Sequence, residues 1–551
     1  MTSSTRKSRT KSSPATTSAL TSQEALEGLR SNELFVGIVG PAGSGSGTAA
    51  GKLKSYFEQG GFKVELIIAS SLIRSAAKRF GFSLPAEDSR KTLDDVVVLQ
   101  DRGDELREGS VYGLPEDHTA VARMALEEVA RRRAKNQNLQ YVGEPILPDG
   151  ECRAYIIYSL RHPSEAALLR EAYQDAFTLL GIFCAPIERE RRIIGNYFEK
   201  KKWNEDEVRE NVKSFMDRDE NAPQKYGQHV SDAFHEADFF VDNSKYVDDL
   251  ADTGMNNELR RFVRIITQKK IVRPRTAETA MHDAHSAKKR SACLSRQVGA
   301  ALVDAYGNIV ATGTNDVPRA GGGLYGEGFA DGAANDLMAN DEEGESKNDK
   351  RCAFHDTPYC RNNDEQNKII EDLINKLPVD EIKLGKNELM ALIRSTRIGG
   401  LIEFSRAVHA EMDAILSAAT AGISPRGCRL FVTTFPCHYC ARHIVASGID
   451  EVQFIEPYPK SKAVDLHNDS VTTDHDGWLP PSKNGDKVLF RPFVGVAPRF
   501  YRKAFLKDRN YKDDVTGKYV MGNPKWGRPT EIYKVPYSSM EVMLALRFGD
   551  G

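Results

Sequence analysis

The sequence is poor in cysteine and tryptophan, carries almost no net charge and contains no long apolar run, and each shortage removes a class of protein. Eight cysteines and three tryptophans stand among 551 residues. Cysteines so few and so unevenly spaced do not make a disulfide framework; they fit a reduced compartment, with metal or core roles. No stretch approaches the roughly 18 consecutive apolar residues that a membrane helix needs. The N-terminus also has no apolar segment followed by a cleavage site, so a cytoplasmic protein without a membrane partner is expected. The 76 basic and 78 acidic residues leave a formal charge of −2, which argues against a general polyanion-binding surface while permitting a local basic groove. A hydrophobic fraction of 40% over this length fills several cores, not one.

What is present is concentrated between Val408 and Ala441. His409 and Glu411 stand two apart at the head of a helical pattern formed by Met412, Ile415 and Leu416. Leu430-Phe431-Val432 then reads as a strand, and Pro436-Cys437-His438-Tyr439-Cys440 follows. One imidazole and two thiols, from His409, Cys437 and Cys440, make a ligand set that holds Zn2+ and leaves a fourth position for water, whose pKa falls to about 7. Pro436 suits the start of a helix, whose free N–H groups and dipole stabilise the Cys-x-x-Cys thiolates. Glu411, two residues from the ligand histidine, has the position of a general base and then a general acid. A lone Cys-x-x-Cys is often half of a structural zinc site, and a lone helical histidine is usually packed in a core. The order His-x-Glu, strand, Pro-Cys-x-x-Cys favours chemistry over both. It resembles the zinc nucleobase and nucleotide deaminases. Within them, HAEMDAI, TTFPCHYCARHIVASGI and the strand from Glu451 to Ile455 resemble the deoxycytidylate deaminases.

Residues 1–32 are rich in Ser, Thr, Lys and Arg and read as a disordered, solvated tail. Leu34 to Val39 suits a buried parallel strand, and Gly40-Pro41-Ala42-Gly43-Ser44-Gly45-Ser46-Gly47-Thr48 leads into a helical pattern through Leu53, Tyr56 and Phe57. Strand, glycine loop and helix form the P-loop arrangement, in which backbone N–H groups and a helix N-terminus cradle phosphate. Gly40 and Gly45 keep the spacing, but Ser46 stands where lysine belongs and Gly47 where Ser or Thr belongs, with Thr48 one step late. That speaks against phosphoryl transfer. It leaves nucleotide binding through Gly40, Gly43, Ser44, Gly45, Ser46, Gly47 and Thr48, with Lys52 and Lys54 as replacement charges; a Gly/Ser turn without a ligand is the alternative. Apolar strands near 63–68, 155–160, 179–183 and 237–243 alternate with helical patterns, which predicts a doubly wound α/β domain with a mainly parallel sheet. With SLRHPSEAALL, ADFFVDN and the arginine-rich helix from Ile187, the region 33–250 resembles the nucleoside-monophosphate and dephospho-coenzyme-A kinases. The resemblance implies a P-loop nucleotide-kinase-like domain that binds without transferring.

A linker helix is expected over 251–275 and a second domain over 276–551. Thr279 to Ser291 reads as a helix, and Val298 to Val303 with Asn308 to Gly313 as a hairpin around the turn 304–308. They resemble the opening of the α/β/α cytidine deaminase fold, in which Asn315 is implied to contact the substrate sugar; an Asx-turn after a strand is the alternative. Residues 319–386 form an insertion suited to a lid or an oligomer contact. Cys293, Cys352, His355 and Cys360 are either a second, structural zinc site or core and surface residues. Arg502, Lys503, Lys507, Arg509 and Lys512, interleaved with Tyr501 and Tyr511, are either a phosphate or RNA surface or a solvated one. The two-domain whole resembles the bacterial anti-phage dCTP deaminases. The resemblance implies zinc-dependent hydrolysis of dCTP or dCMP to dUTP or dUMP, nucleotide depletion during infection, homo-oligomers, a nucleotide effector and a regulatory RNA. A base deaminase acting on tRNA or single-stranded DNA, and an RNA-regulated binding protein with structural zinc, are the other readings.

Overall fold

The computed structural model describes residues 31–85, 92–203, 205–244, 254–268, 270–325, 351–354, 359–377, 384–458, 460–507, 510–520, 538 and 541–542. The expected tail, the acidic part of the insertion, His355 and Arg509 lie outside the described residues.

The strands are β1 (Glu33–Val39), β2 (Lys63–Ile68), β3 (Arg153–Leu160), β4 (Phe177–Phe183), β5 (Phe239–Asp242), β6 (Gly299–Val303), β7 (Ile309–Thr314), β8 (Arg429–Thr434), β9 (Glu451–Glu456), β10 (Val471–Thr472), β11 (Val488–Pro492) and β12 (Gly495–Val496). They form two six-stranded sheets, ordered β12-β5-β4-β1-β3-β2 and β10-β11-β9-β8-β6-β7. In the first, β1 pairs in parallel with β3 and β4, β2 with β3 and β5 with β4. All seven residues of β1 are buried, which explains an unbroken apolar run where a one-sided strand would alternate. In the second, β6 runs antiparallel to β7 and β8, while β8, β9, β11 and β10 are parallel.

The helices that position the sites are α1 (Ser46–Gln59), α2 (Pro163–Tyr173), α3 (Pro186–Tyr197), α4 (Asp206–Glu220), α5 (Met255–Ile266), α6 (Thr276–Lys288), α7 (Arg361–Lys376), α8 (Lys386–Ser395), α9 (Ala410–Thr420), α10 (His438–Ala446) and α11 (Pro498–Phe505).

Two expected boundaries differ from the structure. The supposed linker contains α5, whose apolar stripe buries Leu259 and Phe262 against the first sheet. A stripe of that width needs a partner surface, so the helix is core. The expected second domain does not stay together either: β12 crosses back to pair antiparallel with β5 at the edge of the first sheet, and α11 packs beside it. One hydrophobic cluster consequently joins Phe239 and Phe262 to Met281, Phe431, Val496 and Phe500. At this junction the buried Glu278 carboxylate accepts from Arg261 at 2.5 and 2.7 Å, from the Arg275 N–H at 2.7 Å and from the Val496 N–H at 2.8 Å.

Candidate active site

His409 and Cys437 each sit where extended chain hands over to a helix. The Val408 N–H donates to the Asp316 carbonyl just beyond β7, at 2.9 Å. His409 then caps α9 with extended backbone, and Glu411 follows in the first turn. On the other side β8 ends at Thr434 and Cys437 caps α10, its Sγ accepting the Cys440 N–H at 3.4 Å. Two helix N-termini converge, and their free N–H groups favour negative charge on the sulfurs. The approach of α9 to β7 requires glycine: a Cβ at Gly313 would lie 2.1 Å from the Ala410 carbonyl oxygen and 2.4 Å from the Ala414 nitrogen. Asp413 fastens the same contact by accepting the Thr314 N–H at 2.9 Å.

His409 Nδ1 lies 3.3 Å from Cys437 Sγ and 3.4 Å from Cys440 Sγ. The three ligand atoms all fall within 4.8 Å of one another, and no other such group occurs among the described residues. Both thiols are buried and Glu411 is 4% exposed. An imidazole and two thiolates at this spacing fit zinc by donor chemistry and by number. Hydrogen bonding from Cys440, then from His409, holds the Cys437 thiol down to about 4, and the bond with Cys437 carries the His409 imidazole up to about 9. Cys440 beside that thiolate is pushed well above the ordinary thiol value. Burial, reinforced by the Cys437 charge, brings the Glu411 carboxyl up to about 7.

A cavity of about 410 Å³ opens on His409, Glu411 and Cys437, a size that suits a small nucleotide. Its cations are Arg296 and Lys460, and the insertion contributes Asn362, Asn363 and Gln366 from α7. Sequence reasoning passed over all five. Lys460 follows the end of β9 by four residues; the α7 amides sit in no motif. Asn315 also lines the cavity: Oδ1 accepts the Val298 N–H at 2.6 Å and Nδ2 donates to the Arg296 carbonyl at 2.6 Å. These bonds shape the loop that presents Arg296, and each amide atom keeps a second hydrogen-bonding position. Cys293, Cys352 and Cys360 line a smaller cavity of about 40 Å³ behind the first.

In the N-terminal region the glycine loop follows β1 and opens α1, with Gly43 at φ +80° and Gly45 at φ +89°. Ser44 and Ser46 hydroxyls lie 3.2 Å apart, and Gly47 and Thr48 are exposed. Gly40 packs against the Ile182 carbonyl, where a Cβ would come within 2.6 Å. Lys52 and Lys54 do not supply the missing charge, because Lys52 bonds to Asn256 and Lys54 pairs with Glu58 along the helix. The loop's cations are instead arginines: Arg161 donates to the Gly40 carbonyl at 3.0 Å, Arg189 to the Ala42 carbonyl at 2.8 Å and Arg192 to the Gly43 carbonyl at 3.4 Å. Asp219 of α4 accepts the Ala42 N–H at 2.6 Å. The aromatic-basic C-terminal run is partly spent on packing: Tyr501 stacks on His282 at 4.3 Å, and Lys503 reaches the Asp175 carbonyl.

Residues 274–456, which contain His409, Glu411, Cys437 and Cys440, match the family model of the cytidine and deoxycytidylate deaminase zinc-binding region. The chain is 28% identical over 187 residues to a deoxycytidylate deaminase of Enterobacteria phage T2, covering 34% of this chain and 82% of that protein. It is 29% identical over 189 residues to a deoxycytidylate deaminase of Enterobacteria phage T4, covering 34% and 80%. The dCMP deaminase of cyanophage S-TIM5, solved in complex with dCMP and dUMP, aligns at 18% identity and a TM-score of 0.22, over 40% of this chain and 99% of that one. Among the described residues no helix is long and apolar enough to cross a membrane.

Proposed function

We propose that this chain is a zinc-dependent hydrolase that deaminates deoxycytidine nucleotides, proceeding from the match of residues 274–456 to the cytidine and deoxycytidylate deaminase zinc-binding region. The observation that carries the reading is the gathering of His409 Nδ1, Cys437 Sγ and Cys440 Sγ within 4.8 Å, with the buried Glu411 carboxyl in the lining of the same cavity. Those three atoms hold the metal. Zinc bound by three protein ligands supplies Lewis acidity that makes hydroxide available near neutral pH.

Glu411 manages the protons. A carboxyl in the lining of the same cavity is placed to accept and donate protons there. It takes a proton as water attacks C4 and returns protons to ring N3 and the departing amine. Arg296 and Lys460 offer charge to a 5′-phosphate, which favours a nucleotide over a nucleoside. The relatives named deoxycytidylate deaminases support the monophosphate. The sequence resemblance to anti-phage dCTP deaminases supports the triphosphate, depletion of cytosine deoxynucleotides during infection, a homo-oligomer and restraint by RNA. Within that reading the loop 40–48, braced by Arg161, Arg189 and Arg192, is an effector site for a nucleotide.

Incubating the purified zinc-loaded protein with dCMP, dCTP, CTP and single-stranded DNA tests the activity. Deoxynucleotide turnover that disappears in Glu411→Gln is expected; turnover of polynucleotide alone, or none, refutes it. For the loop, Gly43→Asp and Gly45→Asp should change nucleotide binding, and variants that keep folding, binding and rate intact remove its role.

A further inference from the structure

We propose that the Asp219 carboxylate is a built-in occupant of the glycine loop's anion site, and that a nucleotide's phosphates reach the Ala42 N–H only by displacing it. The assignment rests on the effector reading of loop 40–48 and adds what governs access to it. Helices α3 and α4 close on one residue of that loop from three sides. Asp219 of α4, itself fully buried, accepts the Ala42 N–H at 2.6 Å. Arg189 of α3 donates to the Ala42 carbonyl at 2.8 Å and also pairs with Glu220, the neighbour of Asp219. The Ala42 methyl packs in a cluster with Ile193 of α3 and with Val212 and Phe215 of α4. The opposite end of the loop is open: Gly47 and Thr48 are exposed, where the first N–H groups of α1 have no intrahelical partner.

A carboxylate on a glycine loop does what a phosphate does there. The backbone N–H groups attract whichever anion is seated on them, and the Ala42 N–H, aimed at Asp219 Oδ2 from 2.6 Å, has no room for a second acceptor. Charge enforces the exchange. Arg161 Nη1 lies 2.8 Å from Asp219 Oδ1 and also donates to the Gly40 carbonyl at 3.0 Å. Asp219 thus neutralises one loop guanidinium and Glu220 a second. Arg192 donates to the Gly43 and Asn243 carbonyls and pairs with no carboxylate among the described residues. A phosphate arriving with Asp219 in place meets one unbalanced cation and a buried like charge, whose repulsion is little screened. Arriving after its release, it gains the Ala42 N–H and the Arg161 guanidinium. Because the carboxylate and the apolar contacts to Ala42 lie on the same helix, releasing one loosens α4.

The test measures ATP binding to the full-length zinc-loaded protein by titration calorimetry, for wild type and Asp219→Asn. ATP is the probe because it carries the phosphates without the cytosine that the zinc site takes. The variant keeps the size and an acceptor for the Ala42 N–H but removes the competing charge. It should bind ATP about tenfold or more tightly than wild type, because the fraction of loops open to phosphate rises. Gly43→Asp added to the same chain should abolish the gain. Wild type supplies a second readout that does not depend on the variant folding: hydrogen exchange in α4 should quicken on saturation with ATP, whereas binding to a preformed site would slow it. Equal affinity of wild type and Asp219→Asn, or exchange in α4 unchanged or slowed by ATP, overturns the assignment while leaving the effector reading intact. Absence of ATP binding in both proteins, or a gain that survives Gly43→Asp, overturns that reading as well.

Discussion

Glu411 and His162 are both buried titratable side chains, and burial moves them in opposite directions because it disfavours charge in each. The Glu411 carboxyl is brought up to about 7, which lets it exchange a proton at neutral pH. Glu411→Gln keeps the shape and the cavity wall but has no acid to titrate. It should lower kcat by about 10²–10⁴-fold with zinc content unchanged, whereas Cys437→Ser should lose zinc as well as activity; metal analysis beside steady-state kinetics separates the two. His162 has a structural duty. It caps α2, with Nδ1 accepting the Ser164 N–H at 3.2 Å and Nε2 donating to the Lys225 carbonyl at 3.1 Å. The Nδ1 bond needs the neutral ring, because a protonated Nδ1 cannot accept; the Nε2–H bond survives protonation. Burial, opposed by Glu165 and assisted by Arg107 and His118, pushes its pKa down to about 4. An unfolded histidine protonates near 6.5, so between there and 4 the unfolded chain binds the extra proton. Stability from this group is complete above 6.5 and is lost as pH falls toward 4. The apparent Tm should decline over that window, and His162→Asn, which keeps a capping acceptor without the titration, should flatten the decline.

At the scale of elements, the catalytic geometry depends on how closely α9 lies on β7, and Gly313 sets that distance. A Cβ at position 313 would lie 2.1 Å from the Ala410 oxygen, one residue after His409 of the candidate metal site, so the helix must move to admit it. Gly313→Ala should cost about 1–3 kcal/mol and weaken zinc retention, read by thermal unfolding together with metal content; unchanged zinc affinity would mean that α9 tolerates the shift. The features legible in the sequence are those made by neighbours along the chain. β1 reads from one apolar run, the β6–β7 hairpin from its turn, and the cap residues His409 and Cys437 from two short motifs. What stayed hidden is made by residues far apart. The cations at the glycine loop come from 121 to 149 positions downstream, so Lys52 and Lys54, which are merely near in sequence, were the wrong candidates. Asn362 lies in a polar stretch without a motif, and only the fold brings it to the cavity. β12 is two residues long, too short to leave a periodic signal.

At the scale of the whole molecule, one hydrophobic cluster spans both sheets, and Glu278 sits where they meet. It is fully buried, and its carboxylate serves Arg261 from α5, the Arg275 N–H at the start of α6 and the Val496 N–H of β12. Gly495 makes the last of these reachable: a Cβ there would lie 2.6 Å from Glu278 Oε1. A second pair, Glu258 with Arg275 at 2.7 Å, runs parallel to it, with the carboxylate buried and the guanidinium partly exposed. Removing one partner from such an arrangement leaves the other charged and dry, a loss of about 3–5 kcal/mol. Glu278→Ala also strips the acceptor from β12, the strand that ties the C-terminal segment to the first sheet. Because Phe239, Phe262, Met281, Phe431 and Val496 belong to one cluster, that loss cannot be confined to one half of the chain. Denaturant unfolding followed by tryptophan fluorescence and by residual zinc binding should give coincident transitions in wild type and coincident, lower midpoints in Glu278→Ala. Transitions that separate, with zinc binding holding its wild-type midpoint while the first sheet melts early, would mean that the second sheet folds without support from the first.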